Sequence, residues 1–228
     1  MSVHWSDEFV DLLRSAFPQD VGAKPVYISR PAELGDEWAL PDAAAFTTVW
    51  LDWHIKPQLE SAGRWRGPGL AVVVCREWFV QGDLPDVLGR LGHEIAHALI
   101  NSRSSVNRMA CDVDHALGPE YAAKVETAAE VEKAFRDVEF PKWFAHESDF
   151  IRAALHLHYR LWQRGHWTTP GGMFIGGDLY GVSDGMDYRE RLIDELESEI
   201  DTPIVELLTT PAPEGFTELW KRDTQSRD

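Results

Sequence analysis

A chain of 228 residues, 44% of them apolar and ten of them tryptophan, is long enough to bury a hydrophobic core in one domain. Its formal net charge of -16 disfavours binding to the phosphate backbone, so we expect a soluble acidic protein without a nucleic-acid partner. Cys75 and Cys111 are too few for a disulfide framework. The first residues lack a signal-peptide pattern, and no apolar run approaches the ~18 residues of a membrane span. We therefore expect a reducing cytoplasm as the location and no membrane partner.

The first part of the chain predicts helices around a small sheet. In chain order, the elements are a helix that ends before Pro18, a strand at 26–28, an aromatic-rich helix at 43–59 disturbed near its end by Pro57, and a strand at 70–75. A helix follows, because apolar residues recur at three- and four-residue steps, namely Leu84, Val87, Leu88, Leu91, Ile95 and Leu99.

The second part predicts further helices and no repeat. The expected segments are a polar loop at 101–107, an acidic helix at 121–135, a helix at 148–162, a glycine-rich connection at 165–185, an acidic helix at 188–200 and a flexible tail from about 211. The glycine-rich connection lacks the Gly-Lys-Ser/Thr ending of a phosphate-binding loop, so it is not predicted to hold a nucleotide.

The stretch from Gly92 to Leu99 reads Gly-His-Glu-Ile-Ala-His-Ala-Leu and falls within the predicted helix that begins near Leu84. Residues i and i+4 of a helix share a face, so His93 and His97 can direct imidazole nitrogens at one ion, away from the apolar stripe. Two imidazoles suit a zinc ion (Zn2+), which in catalytic sites has three protein ligands and an open position for water. Glu94 can then act as general base on that water, as in zinc metallopeptidases.

Two H-E-x-x-H subclasses are excluded by neighbouring residues. The metzincin pattern requires Gly and His where this chain has Ile100 and Arg103. Peptide deformylases take a cysteine ligand from a Glu-Gly-Cys signature, whereas Cys75 follows Val74 and is predicted to be a buried strand residue.

A third ligand is needed, and His146 is the preferred candidate. It begins the segment His-Glu-Ser-Asp-Phe-Ile-Arg-Ala, 49 positions after His97 (146 minus 97). With the motif, this segment resembles the SprT-like group of zincins, in which H-E-x-x-H-A is followed by a His-Gly-x-x-aromatic segment that leads into a helix. The resemblance implies His93, His97 and His146 as zinc ligands and Glu94 as base. It covers a small part of the chain, has Glu147 in place of the usual glycine, and spans a longer intervening segment.

Other residues remain candidates for the third ligand. Glu126 and Glu130 lie on one face of the predicted acidic helix, which is faintly similar to the metallopeptidases of the ImmA/IrrE type and would supply a glutamate ligand as in gluzincins. Further candidates are His115, Glu120 or no third ligand. His156 and His158 lie two apart on a helix, cannot share a face, and are predicted to be packing residues.

The sequence as a whole predicts an α+β fold: one helix-rich, zincin-like domain over residues 1–228 with a small sheet beside the motif helix. The expected activity is that of a zinc metallopeptidase acting on a peptide or protein substrate, with the strand at 72–74 aligning the substrate. Tyr180 and Arg152 are the candidates for stabilising the oxyanion. Two alternatives remain: a non-catalytic zinc-binding protein on the same fold, and a helical interaction protein that binds no metal.

Overall fold

The computed structural model describes residues 4–21, 25–35, 45–48, 55–67, 69–101, 148–174 and 188–225. The described chain is α+β, with one three-stranded sheet among helices. Its elements before residue 102 are α1 (Asp7–Arg14), α2 (Pro18–Val21), β1 (Val26–Ser29), α3 (Pro31–Leu34), β2 (Ala45–Thr48), α4 (Lys56–Ser61), β3 (Leu70–Val74), a 3₁₀ turn (Glu77–Val80) and α5 (Leu84–Asn101). Those that follow are α6 (Ser148–Gln163), α7 (Pro170–Met173), α8 (Ile193–Ser198), α9 (Ile204–Leu207) and α10 (Glu214–Gln225).

The sheet has the strand order β1-β3-β2, so β3 lies in the centre. β1 runs parallel to β3 with Val26 opposite Leu70, and β2 runs antiparallel to β3 with Thr47 opposite Val72. Side chains alternate between the two faces of a strand. Val72 and Val74 therefore lie in the core beneath α5, whereas Ala71 and Val73 pack in a second apolar cluster on the opposite face.

The motif helix α5 is buried on two sides. Its apolar stripe, which includes Leu91 and Ile95, belongs to the same core as the sheet. Its opposite side packs on α6, in which every residue from Phe150 to Leu161 is buried. α6 is thus a central helix, and it holds the side of α5 that carries the two motif histidines.

Several predicted elements are confirmed, among them the strands at 26–28 and 70–75 and the helices at 84–99 and 148–162. The helix predicted at 43–59 is wrong in its first part, because residues 45–48 form β2 and pair with β3. Pro57 lies in the first turn of α4, where its missing N–H costs no hydrogen bond, rather than near a helix end. Local composition favoured a helix, but pairing with the central strand decides the conformation of this segment.

The C-terminal residues also differ from expectation. A flexible tail is predicted from about 211, whereas the structure has helix α10 there, with Phe216 and Leu219 in the main core. The acidic helix predicted at 188–200 is divided into a helical turn at 188–191 and α8. The predicted acidic helix at 121–135 lies outside the described residues. Within the described ranges, no helix combines the length and the apolar character that a membrane span requires.

Candidate metal centre

His93 and His97 lie one turn apart on α5 and direct their rings at the same point. Their Nε2 atoms are 3.1 Å apart and their ring centroids are 4.7 Å apart. Two nitrogens that each lie about 2.05 Å from a tetrahedral zinc ion are themselves about 3.3 Å apart. The spacing of the two Nε2 atoms therefore fits two ligands of one ion with little movement of either ring.

A hydrogen bond at Nδ1 of His93 determines that Nε2 is the nitrogen that faces this point. The Nδ1 atom lies 3.1 Å from the carbonyl oxygen of Met173 in α7. A carbonyl oxygen only accepts, so Nδ1 carries the proton and the lone pair of the neutral ring is on Nε2. Metal-binding histidines are commonly oriented by such a hydrogen bond. The pair of His93 and His97 thus fits a zinc ion in spacing, and His93 fits it in tautomer as well.

Phe150, in the first turn of α6, packs against both imidazoles. Its ring centroid is 4.8 Å from that of His93 and 4.5 Å from that of His97. His93 is 5% exposed, so one side of the site is shielded from water by this aromatic ring. Such shielding limits the rotamers that the two histidines can adopt and strengthens electrostatic interactions at the site.

Glu94 is buried beside the first motif histidine. It is 7% exposed, and burial raises the pKa of its carboxyl from 4.5 to about 8. Desolvation disfavours the charged carboxylate, and a nearby cation would favour it. A carboxyl with its pKa near neutrality can both accept and release a proton under ordinary conditions, as a general base and acid must.

No third ligand to accompany His93 and His97 is found among the described residues. In the described ranges, no group of three His, Cys, Asp or Glu side chains is placed to hold an ion. His146, Glu126, Glu130, His115 and Glu120 all lie outside those ranges. Cys75 directly follows β3, is half-buried rather than buried, and packs with the apolar cluster on the sheet face opposite α5. That position agrees with its exclusion as a ligand.

Arg152, a candidate for stabilising an oxyanion, has its polar partners elsewhere. Its guanidinium is 3% exposed, donates to the carbonyl oxygen of Thr210 and lies 3.5 Å from Oε1 of Glu199. Glu199 directly follows α8 and Thr210 lies between α9 and α10, so Arg152 joins these segments to α6. Tyr180, the other candidate for stabilising an oxyanion, lies outside the described residues.

His156 and His158 are buried on α6, as packing residues would be, but both also make polar contacts. Nε2 of His156 lies 3.2 Å from Oε2 of Glu199. Nδ1 of His158 donates to the hydroxyl of Thr168, and Arg189 donates to Nε2 of His158 at 3.3 Å. Both histidines therefore serve hydrogen-bonded contacts of α6 rather than the candidate metal centre.

Residues of α7 were missed by the sequence-based interpretation. Met173 contributes only a main-chain oxygen, which no side-chain pattern reveals. One available signal was the pair of glycines inside the predicted helix, Gly89 and Gly92, because glycine in a helix interior often marks a close packing contact. A Cβ atom on Gly89 would lie 2.9 Å from the carbonyl oxygen of Thr169.

A separate polar groove lies along the outer edge of β1, away from the motif residues, and is lined in part by Arg14, Glu33 and Arg64. Several of its charged groups already pair with one another. Arg64 Nη1 is 3.3 Å from Glu33 Oε2, and His4 Nε2 is 3.2 Å from Glu33 Oε1. Because these charged side chains are already paired, they are less available to bind a ligand than the side chains of the site on α5.

Comparisons with protein-family models, with curated proteins and with solved structures found no match to this chain.

Proposed function

We propose that the protein is a zinc-dependent metallopeptidase with a zincin-like fold. The observation that carries this proposal is the pair of Nε2 atoms of His93 and His97, 3.1 Å apart, with the tautomer of His93 set by Met173. Glu94, buried and adjacent to His93 in the motif, is the proposed general base. The proposed substrate is a peptide or protein, and the two cysteines support a reducing cytoplasm as the location.

His146 is the proposed third ligand, with Glu126 and Glu130 as the alternatives. The chain reaches Phe150, which packs on both motif histidines, four residues after His146. Four residues span at most about 14 Å, so covalent connection alone restricts how far His146 can be from Phe150. The short stretch of chain between His146 and Phe150 thus favours His146 as the third ligand. Glu126 and Glu130 lie more than 17 residues before the first described residue of α6.

In the proposed reaction Glu94 accepts a proton from the attacking water and passes it to the leaving amine of the cleaved amide bond. A bound zinc ion would supply Lewis-acid chemistry, polarising the carbonyl and lowering the pKa of water towards ~7. His93 and His97 would hold the ion through Nε2. Phe150 packs over both rings and keeps them in place.

The substrate strand is expected at a different position from the one that the sequence predicted. β3, which contains residues 72–74, is hydrogen-bonded on both edges and has no free edge for a substrate. β2 is an outer strand among the described strands, antiparallel to β3 and in contact with α5. We therefore assign to β2 the role of pairing with an extended substrate backbone.

A non-catalytic zinc-binding protein on the same fold is the second candidate. The burial of His93 and Glu94 favours it, because a catalytic zinc site needs an open coordination position that water and substrate can reach. The two candidates differ in the fourth coordination position, which is filled by protein in a structural site and by water in a catalytic one.

The deciding experiment is elemental analysis of protein purified without a histidine tag. We expect about one zinc ion per chain in the wild type. His93→Ala, His97→Ala and His146→Ala should each lose most of it, whereas His166→Ala, a histidine outside the site, should keep it. Zinc retained in His146→Ala would move the third ligand to Glu126 or Glu130. No zinc in the wild type, even after zinc is supplied, would leave the helical interaction protein as the better interpretation.

A further inference from the structure

Helix α7 is joined to the motif helix α5 at both of its ends. At its start, the Thr169 hydroxyl donates to Oδ1 of Asp86 at 2.6 Å, and the Thr169 N–H donates to the carbonyl oxygen of Pro85 at 3.2 Å. At its end, the carbonyl oxygen of Met173 accepts from Nδ1 of His93. A four-residue helix has little stability of its own, so these contacts decide where it lies.

The two helices approach as closely as their backbones allow. A Cβ atom on Gly172 would lie 2.9 Å from the carbonyl oxygen of Asp86, and one on Gly89 would lie 2.9 Å from that of Thr169. These distances are shorter than atoms tolerate, and the opposing atoms are backbone, which cannot rotate away. The close approach of the two helices therefore restricts where the Met173 carbonyl can lie relative to α5.

The hydroxyl of Thr169 has a second role within α7. It accepts from the N–H of Gly172 at 3.3 Å and so caps the first turn. One hydroxyl thus joins α7 to Asp86 and stabilises the turn that leads to Met173. Removing it should loosen the Met173 carbonyl without changing a residue that contacts the proposed ion.

We propose that α7 sets the tautomer and ring orientation of His93, and that Thr169 is its positioning residue. This inference rests on the proposed metal site and extends it to residues that do not contact the ion. Hydrogen bonds that orient metal-binding histidines are worth about 10- to 100-fold in metal affinity. A His93 ring released from Met173 can carry its proton on Nε2, which blocks the nitrogen that faces the ion.

The test compares Thr169→Val, which loses the hydroxyl at constant shape, with Thr169→Ser, which keeps it. Zinc affinity is measured by competition with a chromophoric chelator. We expect affinity to fall about 10-fold or more in Thr169→Val and to stay near that of the wild type in Thr169→Ser. Thr217→Val, which removes a hydroxyl from α10 where Thr217 donates to the carbonyl oxygen of Pro213, controls for general loss of a hydrogen bond.

A second readout does not depend on zinc. The ¹⁵N chemical shifts of His93 in the metal-free protein report which ring nitrogen is protonated. We expect protonated Nδ1 in the wild type and in Thr169→Ser, and a mixture of tautomers in Thr169→Val. A purely structural role of Thr169 would lower the melting temperature but leave these shifts unchanged.

Gly89→Ala provides an independent test should Thr169→Val fail to fold, because its added methyl group displaces α7 without touching the hydroxyl. We expect weaker zinc binding and the same change of tautomer. If the wild type binds zinc and both variants bind it equally well with unaltered ¹⁵N shifts, the positioning role is overturned and the proposed function stands. If the wild type binds no zinc, the proposed function is overturned, and the ¹⁵N shifts of the metal-free protein alone decide whether Thr169 positions His93.

Discussion

Arg152 on α6 donates from Nη1 to the carbonyl oxygen of Thr210 at 3.0 Å, across 58 residues of sequence. Its Nη2 atom lies 3.5 Å from Oε1 of Glu199, and the side chain is almost fully buried. Because a buried charge must keep its partners, this contact joins the central helix to the C-terminal part of the fold.

Arg152→Ala should therefore lower the stability of the protein rather than its zinc binding or its turnover. We expect the free energy of unfolding to fall by about 3 kcal/mol, since Glu199 is left without one of its cationic partners. Denaturant titration measures this change, and zinc content of the folded protein should be unchanged. Arg164→Ala, at the exposed end of the same helix, should change stability by less than about 0.5 kcal/mol. A variant that is stable but has lost turnover would restore Arg152 as a candidate for stabilising the oxyanion.

Glu94→Gln keeps the size and burial of the side chain but removes its ability to accept a proton. We expect zinc content to match the wild type and peptidase turnover to fall by at least about 100-fold. Elemental analysis and a peptide-cleavage assay on the same preparation measure the two effects. Glu190→Gln, on an exposed part of the chain, controls for the loss of one carboxylate. Turnover that survives in Glu94→Gln would rule out the proposed role of this carboxyl.

The part of the site on α5 could be predicted because its information is local. The spacing of His93 and His97 defines one helix face, and the apolar stripe through Leu91 and Ile95 shows which side meets the core. The structure confirms the helix and the shared direction of the two rings. By contrast, the hydrogen bond from His93 to the Met173 carbonyl oxygen joins residues 80 positions apart. Because its acceptor is a main-chain atom, no residue type in the sequence predicts it.

The burial of the α6 face that carries Arg152, His156 and Arg160 could not be predicted from the sequence either. Charged and polar residues at four-residue spacing are typical of a solvent-exposed helix face, yet all three are buried. Arg160 donates to the main-chain oxygens of Glu199 and Thr202, and His156 bonds the Glu199 carboxylate. Carbonyl oxygens that become available only when distant segments fold cannot be predicted from a helical pattern.

His158 should make stability depend on pH. Burial lowers the pKa of its imidazole from 6.5 to about 4, and the Arg189 guanidinium adds to this effect. Between these values the unfolded chain binds a proton that the native state does not, so stability falls as the pH falls from about 6.5 to about 4. The contribution present above pH ~6.5 and lost by pH ~4 is about 3 kcal/mol.

The measurement is the free energy of unfolding of metal-free protein at several pH values between 7 and 4. Comparison with His158→Asn, whose amide nitrogen can still donate to Thr168, separates this histidine from the other titrating groups. The variant should be less stable than the wild type at pH 7, and the difference should shrink by about 3 kcal/mol towards pH 4. Parallel curves for the two proteins would show that His158 does not titrate in this way.

Substitution of Phe216 tests whether helix α10 packs into the hydrophobic core. The Phe216 side chain is 3% exposed, and its ring centroid lies 5.8 Å from that of Tyr188, edge to face. Phe216→Ala should lower the free energy of unfolding by about 3 to 5 kcal/mol, because it removes buried apolar surface and leaves a cavity. Glu218→Ala, exposed on the same helix, should cost less than about 0.5 kcal/mol. If residues beyond 211 were a flexible tail, as the prolines at 211 and 213 and the charged end predicted, both substitutions would leave the unfolding curve unchanged.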